Sequence, residues 1–106
     1  MSAGRAWPAA IGAMLLLTGG SGFAAEYVIV IDAMKFAAPP ADLQAGDVII
    51  WRNEDIFRHT ATDRGGSFDI DLEPGAENRL TLETAGAFEV YCRFHPGMIV
   101  SLMVEP

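Results

Sequence analysis

The sequence predicts an all-β domain, an antiparallel sandwich or barrel of short strands. Three observations predict it. Short apolar or β-branched runs recur along the chain, Gly- and Pro-containing turn signals separate them, and no long stretch keeps a helical period. Taken in order, Tyr27–Ile31 is a β-branched run; Met34–Phe36 resumes it, and Pro39–Pro40 stops it. A single helical turn is the most that Pro39–Ala45 could hold. Gly46–Asp47 turns into Val48–Asn53, and a short Thr-rich run follows at His59–Asp63. Gly65–Gly66 precedes Ser67–Ile70, and Pro74–Gly75 precedes Arg79–Glu83. Ala85–Gly86 leads into Ala87–Cys92, and Ile99–Glu105 closes the chain. Alternation then assigns faces. Leu80 and Leu82 share one side, and so do Phe88, Val90 and Cys92, with Glu89 and Tyr91 opposite. Val100, Leu102 and Val104 should meet the same core.

The first residues read as an export signal rather than as part of the fold. Arg5 lies in a short n-region, Ala9–Leu17 is apolar apart from Gly12, and Thr18–Gly22 is small and polar. The apolar run is too short for a stop-transfer helix. Cleavage after Ala24 places Gly22 and Ala24 at the two small-residue positions, whereas cleavage after Ala25 places Phe23 at one of them. The expected organisation is therefore a secretory signal peptide at 1–24 and one domain at 25–106, exported to the periplasm without stable membrane insertion.

Of 106 residues, 82 then remain; with Arg5 gone, six basic against fourteen acidic side chains give a charge of −8. Nucleic-acid binding wants a basic face, so this balance argues against it. A domain this small has a thin core and often needs a staple. No internal disulfide can serve, because Cys92 is the only cysteine. An unpaired cysteine in an exported protein indicates intermolecular pairing, a reactive thiol or a metal ligand.

Its neighbours favour the last. Cys92-Arg93-Phe94-His95-Pro96-Gly97-Met98 carries a thiolate, an imidazole and a thioether at three-residue spacing, with Pro96–Gly97 supplying a sharp turn. The only other histidine, His59, lies 33 residues upstream of Cys92 at the start of a strand. Singly, each has a plainer reading: Cys92 as a small hydrophobe, His59 and His95 as ordinary strand and loop histidines, Met98 as packing. Together they make a set that copper uses in both oxidation states. Cys and two His form a trigonal plane, and a weak axial Met tunes the potential.

Four stretches together resemble a cupredoxin of the plastocyanin and amicyanin type. They are Met34-Lys35-Phe36 with the following proline and Leu43, Gly46–Asp55 running on to His59, the Cys92–Met98 loop, and Ile99–Val104. The resemblance implies a Greek-key β-sandwich of about seven to eight strands with one type 1 copper near one end. By position His59, Cys92 and His95 would be the strong ligands and Met98 the axial one. His95 would be the more exposed ligand and the electron exit, rimmed by Phe94, Pro96 and Gly97, with Met34 and Phe57 nearby. Asn53 would tie the His59 segment to its neighbour, and Tyr91 would mark a second route. Three residues depart from the family pattern. Arg58 stands where proline is frequent, loosening the approach to His59. Thr60 stands where asparagine is frequent, which puts a side-chain tie to the ligand loop in doubt. Phe94 replaces a frequent proline and restores an N–H that, on the sulfur, would raise the potential.

The function implied is one-electron transport between redox partner proteins, docking near His95, by a monomer. A copper-binding or delivery protein is the alternative, but such proteins favour open Met- or His-rich sites. A catalytic metal keeps a position open, which four side-chain donors do not, so an enzyme is not expected. Zinc suits Cys and His as well and could occupy the site in vitro. Asp63, Asp69, Asp71 and Glu73 read as a solvated acidic face or a patch for a basic partner, while Arg58 and Arg93 flank the site.

Overall fold

The computed structural model describes residues 24–106. The expected signal peptide therefore lies outside the described residues, Ala24 excepted. The described chain forms nine strands: β1 (Glu26–Asp32), β2 (Lys35–Phe36), β3 (Leu43–Gln44), β4 (Val48–Asn53), β5 (His59–Asp63), β6 (Asp69–Leu72), β7 (Glu77–Thr81), β8 (Gly86–Tyr91) and β9 (Ile99–Glu105). They build two sheets, in the orders β2-β1-β4-β7 and β3-β9-β8-β5-β6. Among the described residues no helix is long and apolar enough to cross a membrane.

The sandwich is as expected, with two differences. Two strand pairs are parallel, β1 with β4 and β3 with β9. The chain between β1 and β4 passes through the other sheet at β3, so it re-enters the first sheet running as β1 does. That visit also accounts for a strand beyond the expected count, at a place where a helical turn had been open. Leu43 is wholly buried and pairs with Val104, while Gln44 pairs with Glu105. Such a brief pairing is set by one buried side chain, too little to leave a periodicity.

Alternation places the core as anticipated. Ile29, Ile31, Ile49, Trp51, Val90, Leu102 and Val104 are buried between the sheets, and Phe36 meets Trp51 edge-on at 5.8 Å between centroids. Leu80 and Phe88 join this core partly buried, while Glu89 is exposed and Tyr91 half-buried on the opposite face. Full burial of a Leu or Phe side chain stabilises by about 1.5–3 kcal/mol each, which is how so small a domain holds together.

β5 breaks the alternation. All five of its residues are buried, and four of them, His59, Thr60, Thr62 and Asp63, are polar. Burying polar groups is costly unless each finds a partner. Following those partners leads to the site.

The β1–β2 hairpin also points there. Its tip residues, Ala33 and Met34, have positive φ of 51° and 63°, the turn that suits a tight hairpin but normally selects Gly or Asn. The tip is held from outside: the Met34 N–H donates to Asp55 Oδ2 at 2.9 Å.

Candidate metal centre

Three of the residues singled out by sequence converge. One donor atom each from His59, Cys92 and His95 lies within 4.8 Å of the others. His59 opens β5, Cys92 follows β8, and His95 sits on the loop between β8 and β9. His59 Nδ1 is 3.7 Å and His95 Nδ1 is 3.6 Å from Cys92 Sγ. His59 and Cys92 are wholly buried, and His95 is half-buried.

Met98 ends the same loop and is buried. The loop closes on itself: the His95 N–H donates to Cys92 O at 3.2 Å, the Met98 N–H to His95 O at 2.8 Å, and the Cys92 N–H to Met98 O at 3.2 Å. These bonds return Met98 to the level of Cys92, as the Pro96–Gly97 turn suggested.

The spacing fits a trigonal metal. Bonds of about 2.0 Å to nitrogen and about 2.3 Å to sulfur, the zinc values, meeting near 120° leave N and S about 3.7 Å apart. Distance alone admits zinc as well as copper. The donor types discriminate: Cys with two His and a nearby thioether is the set of a type 1 copper, and the donors fit one such ion.

The tautomer of His59 is set by what lies behind it. Its Nε2–H donates to Asp55 Oδ2 at 2.9 Å, which frees the Nδ1 lone pair that faces the sulfur. The same oxygen accepts the Met34 N–H. The hydrogen bond from His59, and then that from Met34, hold the Asp55 carboxyl below its ordinary value of 3.8. Asn53 secures this loop, as expected. Its Nδ2 donates to Phe57 O at 2.8 Å and Leu72 O at 3.0 Å, and its Oδ1 accepts the Asp55 N–H at 2.9 Å.

The sulfur receives a backbone hydrogen bond from Thr60 N–H at 3.4 Å. Among the described residues Phe94 N–H does not make a second one, contrary to expectation. Turning the loop back at His95 uses the Cys92 carbonyl rather than its sulfur. The doubt over Thr60 is also resolved. Thr60 Oγ1 accepts the Arg93 N–H at 2.9 Å, so a tie between the two ligand segments exists without asparagine.

Around His95 the surface is apolar. Phe57 packs edge-on to its ring at 6.3 Å, and its chain neighbours Phe94, Pro96 and Gly97 are exposed. The charged residues beside this rim are paired. Arg58 meets Asp71 and Glu73 at 2.8 and 3.2 Å, and Arg93 meets Asp69 at 2.9 Å. Both guanidiniums also lie over the Phe94 ring, at 4.9 and 5.4 Å. Asp63 does not belong to this face: it turns inward and accepts from Ser67 and Gly65 within its own turn. Among the described residues, neither a free acidic patch nor a free basic one results beside this rim. Tyr91 is capped by Arg64, whose guanidinium lies 4.1 Å from its ring centroid.

No family model matches the chain. It is 26% identical to amicyanin of Paracoccus versutus over 84 residues, covering 74% of this chain and 64% of that protein's length. The crystal structure of that amicyanin superimposes with a TM-score of 0.63 at 25% identity, over 81% of this chain and 85% of the other. A novel purple cupredoxin from Nitrosopumilus maritimus shares the fold, with a TM-score of 0.60 at 19% identity over 74% of this chain and 98% of the other. The chain has the cupredoxin fold. Within that fold, Asp55 is the residue of the site that sequence reasoning missed. A signal for Asp55 existed in its four-residue spacing from His59, but outside a helix that spacing has no fixed geometry.

Proposed function

We propose that this protein is a one-electron carrier that would hold a single type 1 copper through His59, Cys92 and His95, with Met98 supplying a fourth, weaker donor. The observation that carries this is the convergence of two imidazole Nδ1 atoms on one buried sulfur, at 3.7 and 3.6 Å. The copper would supply the change of oxidation state. The protein supplies everything else. Asp55 keeps the proton of His59 on Nε2, and Thr60 N–H draws charge from the sulfur. The buried setting of His59 and Cys92 excludes water, and a framework of this rigidity limits rearrangement between the two oxidation states. His95, half-buried beside Phe57 and Phe94, is where electrons enter and leave, against an apolar face of a redox partner protein. We place the protein in the periplasm as a monomer, exported by the leader at 1–24. A copper-delivery role is not favoured, since a donor cysteine buried at 0% exposure is poorly placed to hand its ion to another protein. Four side-chain donors also leave no open position for a substrate, so the protein is a carrier and not an enzyme.

Adding Cu(II) to the purified protein tests this reading. An intense thiolate-to-copper absorption with narrow copper hyperfine splitting, lost in Cys92→Ser, is expected. A colourless protein, or only weak ordinary Cu(II) bands, would refute it.

A further inference from the structure

Thr60, Thr62, Asp69 and Arg93 form a closed ring of hydrogen bonds. Arg93 N–H donates to Thr60 Oγ1 at 2.9 Å, the Thr60 and Thr62 hydroxyls are 2.8 Å apart, Thr62 Oγ1 meets Asp69 Oδ1 at 2.8 Å, and Arg93 Nε donates to that same Oδ1 at 2.9 Å. The ring begins and ends on Arg93, the residue after Cys92.

Its direction is forced from both ends. A backbone N–H can only donate, so Thr60 Oγ1 is an acceptor there. An ionised carboxylate can only accept, so Thr62 donates to Asp69. The Thr60 hydroxyl proton must then point at Thr62. The carboxyl stays ionised because the Thr62 hydroxyl and Arg93 both lower its pKa below the ordinary 3.8. Every donor in the series therefore points the same way, towards Asp69. Such a chain polarises each member in turn. Thr60 and Thr62 are buried, so water competes poorly for these hydrogens.

The peptide held by this ring matters. The Cys92–Arg93 peptide is gripped on its N–H side by Thr60 and on its carbonyl side by the His95 N–H. Its plane sets the direction in which the Cys92 side chain leaves the backbone. We propose that Asp69, an exposed carboxylate on β6, is a positioning residue for the metal loop, acting through Thr62 and Thr60 on the peptide that follows Cys92. This goes beyond the copper reading in assigning the ring a task, and it rests on that reading only for its consequence at the metal. Neighbouring Asp71 is the natural control. It carries the same charge, lies 3.7 Å from Arg93 Nη2 and, among the described residues, has no hydrogen bond with Thr62.

Amide hydrogen exchange at Arg93, measured by NMR on the metal-free protein and again on the diamagnetic Cu(I) form, tests this. Loss of one cooperative hydrogen bond should speed Arg93 exchange about tenfold in Asp69→Ala and in Thr62→Val. Thr62→Ser, which keeps the hydroxyl, and Asp71→Ala should both match the wild type, and the Leu102 amide should be unmoved in Asp69→Ala. An unchanged Arg93 rate in Asp69→Ala overturns the proposal. So does an equal acceleration in Asp71→Ala, which would reduce the effect to charge. In the loaded protein, the copper hyperfine splitting should shift in Asp69→Ala and not in Asp71→Ala. Should the wild type bind no copper, the carrier reading fails, while the metal-free Arg93 rate still decides the role of Asp69.

Discussion

His59 and His95 offer the same ring and the same atom to the same sulfur, yet they live in different surroundings. His59 is wholly buried at the start of β5, with its second nitrogen on Asp55. His95 is half-buried on a loop between exposed aromatic and proline residues. One is a fixed post and the other a doorway. The difference shows that a site can be rigid on one side and accessible on the other, with the strand supplying rigidity and the loop supplying access.

The sharpest way to break this comparison is to remove each ring. His59→Gly and His95→Gly should each abolish the thiolate-to-copper band. Free imidazole added with Cu(II) should restore it in His95→Gly, where the gap opens to solvent, and fail to do so in His59→Gly. Rescue in both would mean that the two sides are equally open.

Removing the support behind His59 should have the next largest effect. Asp55→Asn leaves the residue in place but removes the charge and half the acceptor capacity that fixes the His59 tautomer. Loss of an outer partner of a metal-ligating histidine typically lowers metal affinity by about 10- to 100-fold. Competitive titration of copper against a chelator would measure it. An unchanged affinity would show that burial alone orients His59.

How much of this could be read in the chain follows from sequence distance. Cys92, His95 and Met98 lie on one tight loop, so their spacing carries the geometry with it. His59 could be joined to them because the chain has only one other histidine. The alternation of β8 and β9 was legible because one face of each packs on the core. Asp55, the Thr60 tie and the Asp69 ring were not, because each depends on which strands lie side by side. Thr60 next to Arg93 is a contact between segments 33 residues apart, and Thr62 next to Asp69 requires β5 and β6 to pair in the observed register. The parallel pairing of β1 with β4 was hidden for the same reason: a strand's pattern says which face is buried and not which neighbour it has.

Acid should expose a different contrast, between the carboxylates that turn inward and those at the surface. Burial pushes the Asp63 carboxyl up, but hydrogen bonds from the Ser67 hydroxyl and the Ser67 and Gly65 N–H groups outweigh it, so its pKa falls below 3.8. A carboxyl whose folded pKa is lowered adds stability above its unfolded value and loses it as pH falls through the folded one. Stability should therefore decline below about pH 3.8, the unfolded reference. Urea unfolding of Asp63→Asn should show a flatter decline over that range than the wild type, with a lower midpoint at neutral pH. An equally steep decline would assign the acid sensitivity to other groups.

The smallest effect belongs to Phe94, on the accessible side. Its N–H does not reach the sulfur, and the single backbone donor to Cys92 Sγ among the described residues is Thr60. Replacing Phe94 with proline removes an N–H that has no bond to lose there. The reduction potential of Phe94→Pro should move by much less than about 59 mV, the equivalent of one tenfold change for one electron. What should change is docking. The ring lies beside the guanidiniums of Arg58 and Arg93 at the rim of the exit, so electron exchange with a partner should slow while the potential holds. A fall in potential comparable to 59 mV would mean that the loop closes further once the metal is bound and brings this N–H onto the sulfur. The accessible side would then be tuning the metal as well as exposing it, and the division between post and doorway would no longer hold.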